Sequence, residues 1–402
     1  MRLAHLPGLV FFDSAGNLPE TAERPLSVIA ARPRRVLEGR IDSAADLGRL
    51  RAALAEGRQG AADPDLPAGG LCGWVEYEGG FVFGDYPEML VYDHREDRWW
   101  ETGGLSGETA SPQTAREAAI LGPFEPRMSR EAFLTGVERI REWIAAGDIY
   151  QVNLTQEFAA TAEGGSLLGL YQTLRAASPA PMAAWMSLAG REVLSSSPET
   201  FLKISGRRIE THPIKGTRPR FADPAADARS ARELRESPKE TAELVMITDL
   251  LRNDLGRVCE FGSVEVAAML RLETLAQVHH LVSSVAGTLR GDCDALGALA
   301  ACFPGGSITG APKLRAMEII RELEPVPRGI YCGALGWLGY DGGCAFNIPI
   351  RTLVREGARA SYHVGAGIVA DSDPAKEYEE TLHKAAGIRL AVASWRDNQA
   401  PL

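Results

Sequence analysis

The sequence is poor in the patterns that would place it in several common classes. Its six cysteines, at positions 72, 259, 293, 302, 332 and 344 of 402 residues, are scattered and form no C-x-x-C pair. That spacing argues against a thiolate zinc site and against a disulfide framework, and it fits a reducing, cytoplasmic setting. Long apolar runs are also missing, so no membrane span is expected. The N-terminus, MRLAHLPGLVFFDSAG, has only a short apolar run broken by Asp13, which is not the form of a signal peptide. Positive charge is in deficit: 43 Lys and Arg face 53 Asp and Glu, for a net charge of −10. With no long basic run, wholesale nucleic-acid binding is not expected. Neither glycine-rich turn ends in the Gly-Lys-[Ser/Thr] of a phosphate loop. Gly365-Ala366-Gly367 lacks the third glycine of a dinucleotide fingerprint.

What remains is the composition of a globular chain, 45% hydrophobic and 24% charged. The length suggests two or three domains, or one large interleaved unit. Residues 1–115 read as a β-rich part: short apolar runs at 9–12, 73–77 and 88–92, a turn at 13–16 and a loop over 57–70. Residues 103–126, rich in Gly, Ser, Thr and Pro, read as a connection to a second part over 123–395.

That second part opens with a helix capped by Ser129, with Phe133, Val137, Ile140 and Ile144 as one stripe. A strand follows in which Tyr150, Val152 and Leu154 alternate with Gln151, Asn153 and Thr155. A hairpin-like strand over 193–204 is interrupted by a serine-rich turn holding Glu199. Lys215 stands at the end of the next strand, in Pro213-Ile214-Lys215-Gly216-Thr217. On its own it reads as a solvated loop lysine or as a buried amine nucleophile. Residues 218–237 read as a solvated loop able to act as a lid. Ser237-Pro238-Lys239-Glu240 then starts a helix with a capping box, and Leu244, Ile247, Leu251 and Leu255 are its stripe. Residues 304–324 read as a turn, with Ser307 in it, followed by a helix. Strands are expected at 330–340 and 345–354, the second carrying Arg351, and a last helix near Asp373-Pro374.

Two helices far apart in sequence each offer two glutamates one turn apart, Glu240 with Glu243 and Glu377 with Glu380. Lys384 shares the second face, where it could pair with Glu380. If the four carboxylates face one cavity, they form an oxygen-only site suited to magnesium. Arg351 and the glycine-rich turns add capacity for an anionic substrate.

Eight stretches in fixed order carry a resemblance: IYQVNLTQ (149–156), SSPE (196–199), PIKGT (213–217), AELVMITDLLRNDLGR (242–257), FPGGSITGAPK (303–313), IPIRT (348–352), GAGIVADS (365–372) and EYEET (377–381). Together they resemble the chorismate-utilising enzymes, which include the anthranilate, aminodeoxychorismate, isochorismate and salicylate synthases. The resemblance covers nearly the whole chain. It implies an α+β fold of two antiparallel sheets packed face to face with flanking helices. Lys215 is similar to the aminodeoxychorismate synthases, on the path to p-aminobenzoate and folate, where anthranilate synthases usually carry alanine. Gln151 stands where the hydrolytic members place a lysine base, so ammonia rather than water is the implied nucleophile.

The same resemblance implies the roles. Magnesium is held by Glu243 and Glu380, with Glu240 and Glu377 close by. Lys215 attacks C2 of chorismate while Glu199 protonates the departing C4 hydroxyl, and ammonia then displaces the lysine. Tyr331, Arg351, Gly365 and Gly367 resemble carboxylate-binding groups, and Gln151, His280, Ser307 and Lys384 match pocket positions. No glutaminase motif is found, so a glutamine amidotransferase subunit is the implied source of ammonia. The region of Phe12-Asp13-Ser14 resembles the place where related enzymes bind tryptophan.

Overall fold

Alternation with a period of two runs through most strands and decides which face of a sheet each residue meets. In Gly70–Val75, Leu71 and Val75 enter one hydrophobic core while Cys72 and Trp74 enter another. Gly80–Tyr86 repeats this with Phe81 and Phe83 against Val82 and Tyr86. In Arg191–Ser197, Val193 joins the core that holds Trp74, and Leu194 faces a third. The core shared by Trp74, Val82, Met186 and Val193 therefore lies between two sheets packed face to face.

The computed structural model describes residues 2–14, 25–57, 66–108, 117–275 and 278–397. Its sheets hold twelve and ten strands, paired antiparallel. The path of the first runs Gly310–Ala311, Gln151–Glu163, Arg359–Ile368, Thr352–Glu356, Arg191–Ser197, Met182–Leu188, Val10–Asp13, Leu26–Ala30, Met89–Asp93 and Arg98–Thr102. The second runs Ile214–Pro219, Val278–Thr288, Arg208–His212, Thr200–Ser205, Cys344–Asn347, Ala334–Gly339, Gly70–Val75, Gly80–Tyr86 and Arg35–Arg40. Segments from the first hundred residues thus extend both sheets.

Helices cover the outer faces. Leu168–Ala177 and Ala386–Asp397 bury Leu170, Tyr171, Ile388 and Trp395 against the first sheet. Pro238–Gly256 and Ala295–Cys302 bury Ile247, Leu251, Leu255 and Leu299 in the core beneath the second. Ser129 and Ser237 cap their helices, but the reciprocal half of the expected capping box is not formed: the Ser237 amide donates to the Leu234 carbonyl and the Glu240 carboxylate pairs with Arg218. Ser129 Oγ accepts from the Ala132 amide at 3.1 Å, and Ser237 Oγ accepts from the Glu240 amide at 3.4 Å. Among the described residues no helix is long and apolar enough to cross a membrane.

Several local expectations change. Residues 218–237 are not a solvated loop: Pro224–Arg235 is a helix. Asp223 caps it by accepting from the Ala226 amide at 2.9 Å, proline takes its first turn, and Leu234 is fully buried. Ala44–Gly57 is a helix within a part read as strands, with the Ser43 hydroxyl accepting from the Asp46 amide. The strand carrying Gln151 starts at that residue, and Tyr150 lies before it, 72% exposed. Lys215 lies inside the strand Ile214–Pro219 rather than at the end of one. Gly365 and Gly367 also lie within a strand, Arg359–Ile368, where a Cβ on Gly365 would stand 2.8 Å from the Leu154 carbonyl oxygen. The turn at 13–16, the loop over 57–70 and the connection over 103–126 fall partly outside the described residues.

The strands expected over 193–204 and 345–354 each break in two, and the halves belong to different sheets. Arg191–Ser197 lies in the first and Thr200–Ser205 in the second; Cys344–Asn347 lies in the second and Thr352–Glu356 in the first. Pro198 and Pro349 sit at the breaks, where proline cannot continue a ladder. The two crossings are joined: the Ile348 amide donates to the Glu199 carbonyl at 3.1 Å, and Ser197 Oγ donates to the Ile348 carbonyl at 2.6 Å.

A buried guanidinium braces the same region. Arg328 pairs with Glu324 at 2.7 Å and donates to the carbonyls of Ile308 and Asn153. Arg328→Ala would strand the Glu324 carboxylate and two carbonyls, with an expected cost of about 3–5 kcal/mol. Urea unfolding of wild type and variant measures this, and a loss under 1 kcal/mol would contradict the assignment of a brace.

Candidate functional site

The paired crossings carry Glu199 and Arg351 in their bends. Arg351 adopts a left-handed backbone, φ 51°, an uncommon conformation for a bulky residue and a mark of a site held by its surroundings. Burial lowers the proton affinity of its guanidinium, and no carboxylate among the described residues pairs with it. Such a cation wants an anion. Tyr331 lies beside this crossing, because the Cys332 amide donates to Pro349 at 3.2 Å. Its ring stacks on His363, with centroids 5.2 Å apart.

Glu199 is 4% exposed. Burial raises its carboxyl to about 7; the Ser307 hydroxyl, the Lys215 ammonium and the Ile214 amide all favour the charged form but do not offset it. The turn that holds Glu199 lies at the crossing between sheets, and that crossing is what buries it. Ser307 is positioned by its own turn, whose carbonyl accepts from Asn153 Nδ2 at 2.8 Å. Lys313 fastens the same turn, donating to Asp254 at 2.6 Å and to the carbonyls of Cys302 and Pro304.

Lys215 precedes a register shift in the ladder with Val278–Thr288, at Gly216. Gly216 has φ 72°, and a Cβ there would stand 2.7 Å from Leu234. Only glycine fits this bulge. The charge of Lys215 acts on Glu199, Glu243 and Glu380, so the structure brings that amine to the carboxylates. His280 lies across the ladder. Its Nδ1 meets Thr217 Oγ1 at 3.0 Å and the Gly216 carbonyl at 3.3 Å, and its buried Nε2 has no partner among the described residues. Burial first, and the Arg351 charge second, lower this imidazole to about 3, so it is neutral with a free lone pair. Gln151 is fully buried, not on a solvated face, and neither atom of its amide is hydrogen-bonded among the described residues. A Cβ on Gly367 would stand 2.5 Å from Gln151 Nε2, so that glycine makes room for the amide.

The four glutamates come from Pro238–Gly256 and Pro374–Lys384. All four act on one ammonium: burial disfavours the charge on Lys239, but Glu377, Glu243, Glu380 and Glu240 outweigh it and raise its proton affinity. Lys239 Nζ is 3.6 Å from Glu377 Oε1, Arg218 is 3.5 Å from Glu240, and Lys384 is 2.7 Å from Glu380. Lys384 also donates to the Gly365 carbonyl at 3.0 Å, tying the cluster to the glycine strand. Among the described residues no three side chains stand close enough to form a ready-made metal cage. Yet Glu377 Oε2 is buried without a partner, and its other oxygen accepts from Ser372 at 2.7 Å. An orphaned buried carboxylate oxygen among hard oxygen donors fits a divalent cation that takes one or two carboxylates and keeps its waters.

The arrangement thus offers a buried acid, an amine, a neutral imidazole, an unpaired guanidinium and a carboxylate cluster. Lys239, Arg218 and Ser372 were not singled out from sequence. The spacing of Lys239 and Glu243, four apart on one helix, was the available signal.

Residues 49–389 match the chorismate binding enzymes. Anthranilate synthase component 1 of Streptomyces coelicolor is 46% identical over 289 residues, covering 72% of this chain and 56% of that protein. This chain thus spans little more than half of that relative's length. Aminodeoxychorismate synthase component 1 of Bacillus subtilis is 39% identical over 327 residues, covering 76% and 69%. Among solved structures, anthranilate synthase component I from Streptococcus pneumoniae superposes with a TM-score of 0.79 at 28% identity, over 92% of this chain and 93% of that one.

Because its proton affinity rises in the fold from 4.5 to about 7, Glu199 contributes stability that is complete below pH 4.5 and is lost as pH climbs to about 7. The loss expected is about 3 kcal/mol. Urea unfolding of wild type and Glu199→Gln at both ends of that range reads it as a change in their difference. A difference that does not vary with pH would contradict the burial of an ionisable acid here.

Proposed function

The chain belongs to the chorismate binding enzymes, and from that premise we propose that it is the synthase component that converts chorismate and ammonia to 4-amino-4-deoxychorismate, the aminodeoxychorismate synthase reaction. The observation that carries this reading is the placement of Lys215, whose amine acts on Glu199, Glu243 and Glu380 at the edge of the buried site. Relatives of both kinds stand at similar identity, so overall likeness does not choose between this activity and the alternative, anthranilate synthase component I. Lys215 favours the former, because an amine nucleophile has no role where alanine serves.

In the proposed reaction the unpaired Arg351 takes a substrate carboxylate, with Tyr331 and the strand backbone at Gly365 and Gly367 beside it. Magnesium held by Glu243 and Glu380, with Glu240 and Glu377 behind them, would anchor the ring carboxylate and act as a Lewis acid. Lys215 forms a bond to C2 as both ring double bonds shift, C1=C2 to C1=C6 and C5=C6 to C4=C5, and the C4–oxygen bond breaks. Glu199 gives its proton to the departing hydroxyl, which leaves as water; hydroxide alone is a poor leaving group. Ammonia then bonds to C4, both double bonds shift back, and the Lys215 amine departs from C2. The Ile214 amide orients Glu199, the buried Ser307 Oγ is unpartnered among the described residues, and the neutral His280 Nε2 can accept a hydrogen bond from the substrate. Gln151, an amide rather than an amine, can hold a small polar nucleophile but cannot activate water as a base. A glutamine amidotransferase subunit would supply the ammonia.

The purified protein with chorismate, magnesium and ammonium salt should yield a product that an added lyase splits to p-aminobenzoate. Anthranilate formed directly would sink the reading in favour of the alternative. Lys215→Ala should abolish any covalent substrate adduct seen by mass spectrometry, and an adduct that persists would point to another nucleophile. With Glu199 as the acid, the rate should fall as pH rises through about 7.

A further inference from the structure

We infer that Lys239 is the resident counter-cation of the carboxylate cluster, and that it and a divalent cation exclude one another, so that this lysine sets how tightly the metal is held. The inference rests on the magnesium reading above and extends it to a residue with no part in the proposed chemistry.

The argument is geometric. Lys239 stands in the first turn of Pro238–Gly256, one residue before Glu240 and four before Glu243. Its ammonium reaches across to the other helix, 3.6 Å from Glu377 Oε1. Of the other cations at the cluster, Arg218 meets Glu240 and Lys384 meets Glu380, while Lys215 acts on Glu243 and Glu380 as well as on Glu199. Lys239 alone among them is acted on by all four glutamates. It therefore occupies the place, in electrostatic terms, that a metal among those oxygens would take. The second observation is Glu377 itself. One of its oxygens meets Ser372 and Lys239, while the other is buried and unpartnered among the described residues. A buried carboxylate with one oxygen idle is held for a ligand that the lysine does not fully replace.

The side chain of Lys239 is half exposed, at 52%. A flexible stem lets the ammonium swing to solvent, which a deeply buried cation could not do. When the ammonium points inward, it neutralises carboxylates that would otherwise repel one another across two helices. When a doubly charged cation enters, the ammonium faces strong like-charge repulsion at short range and must leave. The metal must therefore displace a bound charge as well as water.

The test is calorimetric titration of magnesium chloride into the full chain, freed of metal and without chorismate. Lys239→Gln should bind magnesium about tenfold or more tightly than wild type, since every 1.4 kcal/mol of lost competition is tenfold. Lys239→Arg, which keeps the charge, should stay near wild type. Lys239→Met serves as a second neutral variant that keeps the stem, and Glu377→Gln should weaken binding in every background. Binding seen in Lys239→Gln but too weak to detect in wild type also supports the inference. Equal affinity in wild type and the neutral variants, or weaker affinity in the variants, overturns it while leaving the metal site intact. No magnesium binding by wild type or any variant overturns the metal reading and the inference with it.

Discussion

Two strands leave one sheet and enter the other side by side, and the hydrogen bonds between their bends are the constraint on which this molecule depends. The Ile348 amide reaches the Glu199 carbonyl, and the Ser197 hydroxyl reaches the Ile348 carbonyl. Each bend contains a proline, at 198 and 349, so neither ladder can run on past it. The consequence is chemical as well as architectural. A chain that changes sheets must expose backbone and side chains at the seam, and here the seam is buried. Glu199 and Arg351, which an ordinary strand end would have left in water, are placed where water is scarce.

The ionisable groups of the molecule divide by whether their partners are present. Arg328 is buried at 3% exposure, yet it has Glu324 and two carbonyls around it, and its proton affinity rises. Lys313 likewise has Asp254 and two carbonyls. These are internal braces, complete in themselves. Arg351, His280 Nε2, the Gln151 amide and one oxygen of Glu377 are incomplete among the described residues. Unsatisfied buried groups are rare because each is costly. Their gathering around Glu199 and Lys215 is the strongest physical sign that the region exists to receive a polar, anionic ligand.

The sequence was legible wherever local rules act alone. Ser129 and Ser237 cap the helices they were expected to cap, because side-chain capping is a contact over three residues. Leu244, Ile247 and Leu251 face the core, because helical periodicity needs no distant information. It was less legible where composition misled. Pro224–Arg235 is rich in charge and reads as solvated, but a single buried leucine and an aspartate cap suffice for a helix once the sheet is beneath it. The same holds for Ala44–Gly57, whose Leu50 is buried.

The ordered motifs by themselves determined the family and the fold, and they picked out Glu199, Lys215 and the four glutamates as candidates, because residue type and order survive without coordinates. They could not decide which of those groups would be buried, or what would stand between them. Glu199 and Gln151 are both enclosed by remote segments. Glu199 is buried where strands more than a hundred residues apart cross at one seam, and Gln151 where its strand pairs with Gly310–Ala311 and Arg359–Ile368. Lys239 read only as part of a helix start; its reach to Glu377 depends on a second helix more than a hundred residues away in sequence. Burial, pairing and charge competition depend on distances between remote segments, and only the tertiary structure supplies those distances.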